Sequence, residues 1–282
     1  MPKKYSFNKS FFLSDSEQVF YWAGFIAADG CLRKRGNTYE LSVCLAQKDK
    51  YHIEKFKHDI GANHPIIERI QRDCRAGFKD SAKAQISLYS MRFLGDLYRF
   101  NITPRKTKIY TFPDWLVNHE LCHHFMRGYF DGDGCWSFMT SRKTPQLKFA
   151  VLGTIQFLKT YQSILLQKCN LSLTAICSVP GASKLSYGGN GNSVKIRDFL
   201  YKNATVFLQR KFDLVSNINI AINTRIKITP ELLINKMLEF GSQNKIAKDI
   251  GYSKTHISRN VKKFDIVNQM MIAKANYVVV YG

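Results

Sequence analysis

The chain has 282 residues, 45% of them hydrophobic and 22% charged, a balance that excludes a disordered polymer and suits one large domain or two to three smaller ones. Lysine and arginine number 42 against 21 aspartates and glutamates, a formal net charge of +21; the basic residues are scattered and no basic amphipathic helix stands out, which favours nucleic acid over lipid as the partner. Seven cysteines without a C-x-x-C pair exclude a disulfide framework and a zinc finger, and with no 18-residue apolar run and no apolar signal core in MPKKYSFNKSFFLSD the expectation is a soluble, intracellular protein, cytoplasmic or organelle-encoded, with no membrane partner.

In chain order, a helix ending in WAGFIAADG (22–30) comes first. In YELSVCLA, Tyr39, Leu41, Val43 and Leu45 alternate with Glu40, Ser42, Cys44 and Ala46, the period of a half-buried strand. A helix over about 49 to 60, further short strands and a helix near MRFLGDLYRF follow. The phrase then returns as MRGYFDGDG (126–134), with Asp133 lying 104 residues beyond Asp29. Leu147, Phe149 and Val151 alternate with Gln146, Lys148 and Ala150; a helix over about 154 to 168, more strands and a helix near IRDFLYKN complete the second pass. FLGDLYRFNITPRKTK (93–108) is echoed by IRDFLYKNATVFLQRKFD (196–213), and Lys211 lies 105 residues beyond Lys106. Two landmarks at nearly one period make residues 1–115 and 116–222 a duplicated unit. The order αββαββα, twice, predicts an α+β fold with pseudo-twofold symmetry and helices on one side of each sheet.

From 223 to 282 the pattern is all-α. TPELLINKMLEFG reads as a helix with Pro230 in its first turn and Gly241 at its end, with Leu232, Leu233, Met237 and Leu238 at helical spacing. SQNKIAKDIGYSKTHISRNVKKF (242–264) predicts a helix, a turn at Gly251 and a second helix capped by Ser253, with Ile246, Ala247, Ile250, Ile257 and Val261 as its core. This is a helix-turn-helix pattern, with Lys254, Thr255, His256 and Arg259 on the helix that would read DNA. The tail from 265 to 282 carries no decisive pattern, and NYVVVYG is compatible with an added strand.

The repeated phrase has a physical reading. Gly24 and Ala28, like Gly128 and Gly132, are small residues four apart, so two such helices can approach closely along that strip. If they meet at the pseudo-twofold axis, Asp29 and Asp133 end side by side. A lone Asp-Gly ordinarily just ends a helix, with the glycine (Gly30, Gly134) as a left-handed cap. Two acids together at helix C-termini repel each other and the helix dipole by ~0.3–1 kcal/mol each, and a divalent cation removes that penalty; Mg²⁺ suits carboxylate, carbonyl and phosphate oxygens.

The two phrases resemble the LAGLIDADG motif of homing endonucleases: WAGFIAADG at Ala23, Gly24, Ile26, Ala28, Asp29 and Gly30, MRGYFDGDG at Gly128, Asp131, Asp133 and Gly134. The resemblance covers about three quarters of the chain. It implies a single-chain, monomeric, sequence-specific double-stranded DNA endonuclease whose two sheets form a saddle on a long pseudo-palindromic target. It further implies Asp29 and Asp133 as metal ligands together with the carbonyls of Ala28 and Gly132, Mg²⁺ as the cation with Mn²⁺ able to substitute, Gln47 ordering solvent near the metal, and Lys106 and Lys211 near the scissile phosphates. In the second copy Gln47 corresponds to Leu152 or Gly153, which predicts unequal cutting of the two strands. Arg127 and Asp131, departures from the first copy, are four apart and predict an ion pair on the helix flank.

Strand parity assigns Arg33, Arg35, Ser42, Arg69, Gln71, Lys83 and Gln85 to a nucleic-acid-facing surface, joined by Ser137, Arg142, Gln146, Lys148 and Lys195 from the second unit and by Ser253, Lys254, Thr255 and Arg259 from the last domain. In CHHF (122–125), adjacent histidines point apart, so packing or surface roles are expected rather than metal ligation. Two other functions share these features: a transcription regulator with a non-cleaving LAGLIDADG domain, and an intron RNA maturase.

Overall fold

Helix α1 (Glu17–Asp29) starts where the Ser16 hydroxyl accepts the Val19 N–H at 3.3 Å. Its residues Val19 to Ala27 are all buried, as expected of a helix apolar on every side. In the computed structural model, residues 5–72, 80–139, 146–216 and 228–281 are described. After α1 come β1 (Gly30–Arg35), β2 (Thr38–Ala46), α2 (Lys50–Asp59), β3 (Ile67–Gln71), β4 (Ser81–Tyr89) and α3 (Arg92–Tyr98). The same order returns as α4 (Cys122–Asp133), β5 (Gly134–Met139), β6 (Gln146–Gly153), α5 (Ile155–Cys169), β7 (Cys177–Val179), β8 (Ala182–Gly188) and α6 (Asn190–Leu200), followed by α7 (Gln209–Ser216).

Each set of four strands forms an antiparallel sheet, ordered β1-β2-β4-β3 and β5-β6-β8-β7. On one face, Leu41, Val43, Leu45, Ala84, Ile86 and Leu88 are buried under α2; on the matching face of the second sheet, Leu147, Phe149, Val151 and Leu185 are buried under α5 and α6. The helices therefore lie on one side, and the opposite faces carry the polar half of each alternation. One apolar core, with α1 and α4 at its centre, unites both halves of the duplication.

The chain divides into two compact units, Met1–Asn219 and Ile220–Gly282. The second holds α8 (Pro230–Phe240), α9 (Gln243–Asp249), α10 (Lys254–Lys263) and α11 (Val267–Tyr281) around Leu233, Met237, Ile246, Ala247, Ile250, Ile257, Val261, Ile266, Met270 and Ala273. Hydroxyls of Thr229, Ser242 and Ser253 cap α8, α9 and α10 in turn, and Gly241 and Gly251 take positive φ. Leu238 is exposed rather than inward. The tail is helical, not a strand: Ile266, Met270 and Ala273 fall three to four apart and bury against α8, and Tyr277 lies over Gly241. That packing outweighs the strand preference of the valine run. No helix among the described residues is long and apolar enough to cross a membrane.

Candidate active site and nucleic-acid face

The glycine strips are the contact between α1 and α4. A methyl placed on Gly24 would come within 2.0 Å of the Phe125 carbonyl oxygen, and one on Gly128 within 1.9 Å of that of Tyr21. Only glycine permits backbones this close. Tyr21, Gly24 and Phe25 cross Phe125, Gly128 and Tyr129, and one turn later on both helices Ala28 meets Gly132, so the helices run in the same direction. Their C-terminal ends therefore coincide. A methyl on Gly132 would stand 3.5 Å from the carboxyl carbon of Asp29, so the two acids are brought side by side. Gly30 and Gly134 are extended (φ −76° and −102°) and open β1 and β5 instead of forming left-handed caps.

Neither acid makes a hydrogen bond or ion pair with another described residue. Asp29 keeps solvent-accessible surface, yet protein displaces much of the water around its carboxyl. That desolvation raises its pKa against the opposing fields of Lys211, Lys106, Arg210 and Lys83. Asp133 is pushed up to about 6, first by burial and then by the charge of Asp29, with Lys106 and Lys211 opposing. The fold thus holds two carboxylates that resist ionising together.

The two lysines are engaged elsewhere. Lys106, 7% exposed, donates to the Gly30 carbonyl at 2.6 Å. Lys211, 4% exposed, donates to the carbonyls of Gly134 (2.5 Å), Asp131 (2.7 Å) and Phe130 (2.9 Å). Each amine thereby secures the turn that follows its motif aspartate, and Lys211 also meets the negative end of the α4 dipole. Burial lowers both pKa values; Asp133 leads the fields that oppose this at Lys106, and Asp131 leads them at Lys211. Among the described residues no group of three or more acids, histidines or thiols is placed to hold a metal. A cation at the paired aspartates would need backbone carbonyl, water or phosphate oxygens for its remaining ligands, and the Ala28 and Gly132 carbonyls lie in the last turns beside them.

Several sequence expectations fall differently. Arg127 and Asp131 do not form the predicted flank pair. Arg127 is fully buried and reaches Glu17 of α1 at 2.6 Å, the Leu200 carbonyl at 2.8 Å and the Val206 carbonyl at 3.0 Å. Asp131 accepts from Tyr21 Oη and the Leu208 N–H, both at 2.7 Å. Gln47 is exposed and donates to Glu68. The pairings Gly30 with Val43 and Gly134 with Val151 make Ile155, not Leu152 or Gly153, the counterpart of Gln47. In CHHF, His124 contacts Arg127 and His123 meets the Glu120 and Lys202 carbonyls. Sequence reading also missed Arg210, held by the buried Asp49 at 2.9 Å and felt at Asp29. The doubled Arg-Lys pairs at 105–106 and 210–211 were the available signal for it.

The sheet faces follow parity. Cross-strand pairs Arg33 with Glu40, Ser42 with Ser87, Cys44 with Gln85 and Arg69 with Lys83 place Arg33, Arg35, Ser42, Arg69, Gln71, Lys83 and Gln85 on one face. Glu40 shares it and binds Arg35 at 2.8 Å and Ser87 at 3.1 Å, so Arg35 is already partly neutralised. On the second sheet Ser137, Gln146 and Lys148 share a face, with Lys184 and Ser186 as unforeseen neighbours. Lys195 does not: it sits on α6 in the helical layer and donates to the Asn170 carbonyl at 3.1 Å. Arg142 lies outside the described residues. In the second unit, Ser253, Lys254, Thr255, His256 and Arg259 are exposed along α10, while Ile257 and Val261 are buried.

No protein-family model matches this chain, and no curated protein does. Solved structures do match. The homing endonuclease I-WcaI bound to its DNA recognition sequence aligns with a TM-score of 0.53 at 15% identity, over 72% of this chain and 90% of that one. The I-LtrWI LAGLIDADG homing endonuclease bound to target DNA aligns with a TM-score of 0.49 at 10% identity, over 89% and 97%. At such identities the likeness is one of fold, and the two four-stranded sheets with their helices have the α+β fold of the LAGLIDADG homing endonucleases.

Proposed function

We propose that the chain is a sequence-specific, divalent-cation-dependent double-stranded DNA endonuclease of the homing type. The observation that carries this reading is the pair of carboxylates at the joined ends of α1 and α4, free of hydrogen bonds and ion pairs with other described residues while two buried lysines are fixed to carbonyls beside them. Structural ion pairs would have neutralised these acids. The net charge of +21 and the polar sheet faces supply the anionic partner, and the similar solved structures are endonucleases bound to DNA.

The donor set fits a hard cation such as Mg²⁺, because the acids have no cationic partner at bonding distance among the described residues and repel each other. Asp29, Asp133 and the Ala28 and Gly132 carbonyls would hold it, and when bound it supplies Lewis acidity toward the phosphodiester. Lys106 and Lys211 lock the turns after the acids and bring positive charge toward a pentacovalent phosphate. Arg33, Gln71, Lys83, Gln85, Gln146 and Lys148 would contact base edges and phosphates, with the α9–α10 pair as a helix-turn-helix adding a further DNA contact through Lys254, Thr255 and Arg259.

The test is incubation with Mg²⁺ and duplex DNA carrying the uninterrupted sequence into which the gene inserts. Cutting by the wild type, lost in Asp29→Asn and Asp133→Asn while binding persists, is expected. Binding without cutting, unaltered by either substitution, would instead identify a regulator. Intron splicing assistance that survives loss of both acids would identify a maturase.

A further inference from the structure

A cleft of about 350 Å³ opens beside Asp133. Asp133, Lys106, Tyr129, Gly153, Thr154 and Ser183 contribute to its lining. Tyr129 lies one helical turn before Asp133 on α4, so both point to the same side. Its ring is fixed by stacking on Phe157, with centroids 4.0 Å apart. The residue is 3% exposed, and it lines the cleft together with Asp133. Gly153 makes room for the phenol hydroxyl: a methyl there would come within 2.9 Å of Tyr129 Oη. A phenol lining a cleft that also holds an acid suits a bound water.

The other half of the duplication is built differently. The counterpart of Tyr129 is Phe25, which has no hydroxyl, and the counterpart of Gln47 beside this cleft is the aliphatic Ile155. Asp29 has the nearby field of Arg210, which Asp49 anchors. The residue equivalent to Asp49 in the second half is Phe157, the ring that supports Tyr129.

We propose that Tyr129 Oη positions the attacking water for one DNA strand only, the strand whose scissile phosphate lies at Asp133. This rests on the nuclease reading. The water oxygen bonds to phosphorus as the bond from phosphorus to the 3′ oxygen breaks. One water proton passes to solvent and the departing 3′ oxygen takes up a proton from solvent, leaving a 5′ phosphate and a 3′ hydroxyl. Tyr129 stays a neutral hydrogen-bond donor and partner to the water throughout.

Duplex DNA bearing the uninterrupted insertion sequence, labelled on either strand, is cut with Mg²⁺ under single-turnover conditions by wild type and Tyr129→Phe. The expected result is one strand slowed about tenfold and the other changed by less than about twofold, so that nicked duplex accumulates. Equal slowing of both strands, or no change in either, overturns the proposal. Phe25 shows that this helix position accepts phenylalanine in the repeat, and a thermal melt checks that the variant folds. Gly153→Ala, whose methyl enters the hydroxyl's space, must bias the same strand; a bias toward the other strand also overturns it. A wild type that cuts neither strand defeats the nuclease reading itself, an outcome distinct from cutting that Tyr129→Phe leaves unbiased.

Discussion

Ionising Asp133 in the folded protein places negative charge where burial has removed water and Asp29 already stands, so its carboxyl is held at about 6 against an ordinary 3.8. A raised acid binds its proton more tightly in the folded state. Its stabilising effect is therefore complete below about pH 4 and is lost as pH rises through about 6. Asp133→Asn should raise the melting stability of the cation-free protein by about 1–2 kcal/mol at pH 7.5, after allowance for solvent screening, and by little at pH 4. Melts in EDTA at the two pH values check this; equal effects at both would contradict it. Adding Mg²⁺ should stabilise the wild type and not the asparagine variant, because only the wild type gains a ligand on its acids. At this scale the sequence was legible where residue type was decisive, as with the two aspartates that the joined helices bring side by side. It was not legible for Arg127, because a guanidinium on a buried helix follows whichever carboxylate the neighbouring helix presents, and that is Glu17 of α1.

The joined helices α1 and α4 turn two short phrases into one site, and glycine is what allows it. Gly24→Ala or Gly128→Ala would drive a methyl to about 2 Å from a backbone oxygen, forcing the helices apart. A loss of about 3 kcal/mol in urea unfolding is expected, with cutting lost at temperatures where the fold survives. Ala23→Gly, on the same helix and buried but outside the glycine strip, should cost only about 1 kcal/mol, the ordinary helix penalty. The elements themselves were readable because period-two and period-3.6 patterns recur at one spacing: αββαββα appears twice, as does the small-residue strip. Sheet registers are non-local, so the counterpart of Gln47 was misplaced, and parity carried into α6 wrongly put Lys195 on the sheet face. The helical tail was missed because its stability comes from contact with α8, which a valine run does not announce.

Across the whole chain, a net charge of +21 with polar faces on both sheets means that, on the proposed reading, DNA affinity is chiefly electrostatic. Binding should weaken by roughly 10³ or more between about 50 and 200 mM salt, read by titration of labelled duplex. Lys83→Ala and Lys148→Ala should each flatten the salt slope by about one unit, whereas Lys195→Ala should leave it unchanged. The central claim is that two acids from separate halves of the chain share one cation site. Mn²⁺ titration followed by electron paramagnetic resonance, comparing wild type with the Asp29→Asn and Asp133→Asn double variant at pH 7.5, tests it most directly. The account predicts that the wild type takes up Mn²⁺ and the double variant does not; equal uptake by both would contradict it.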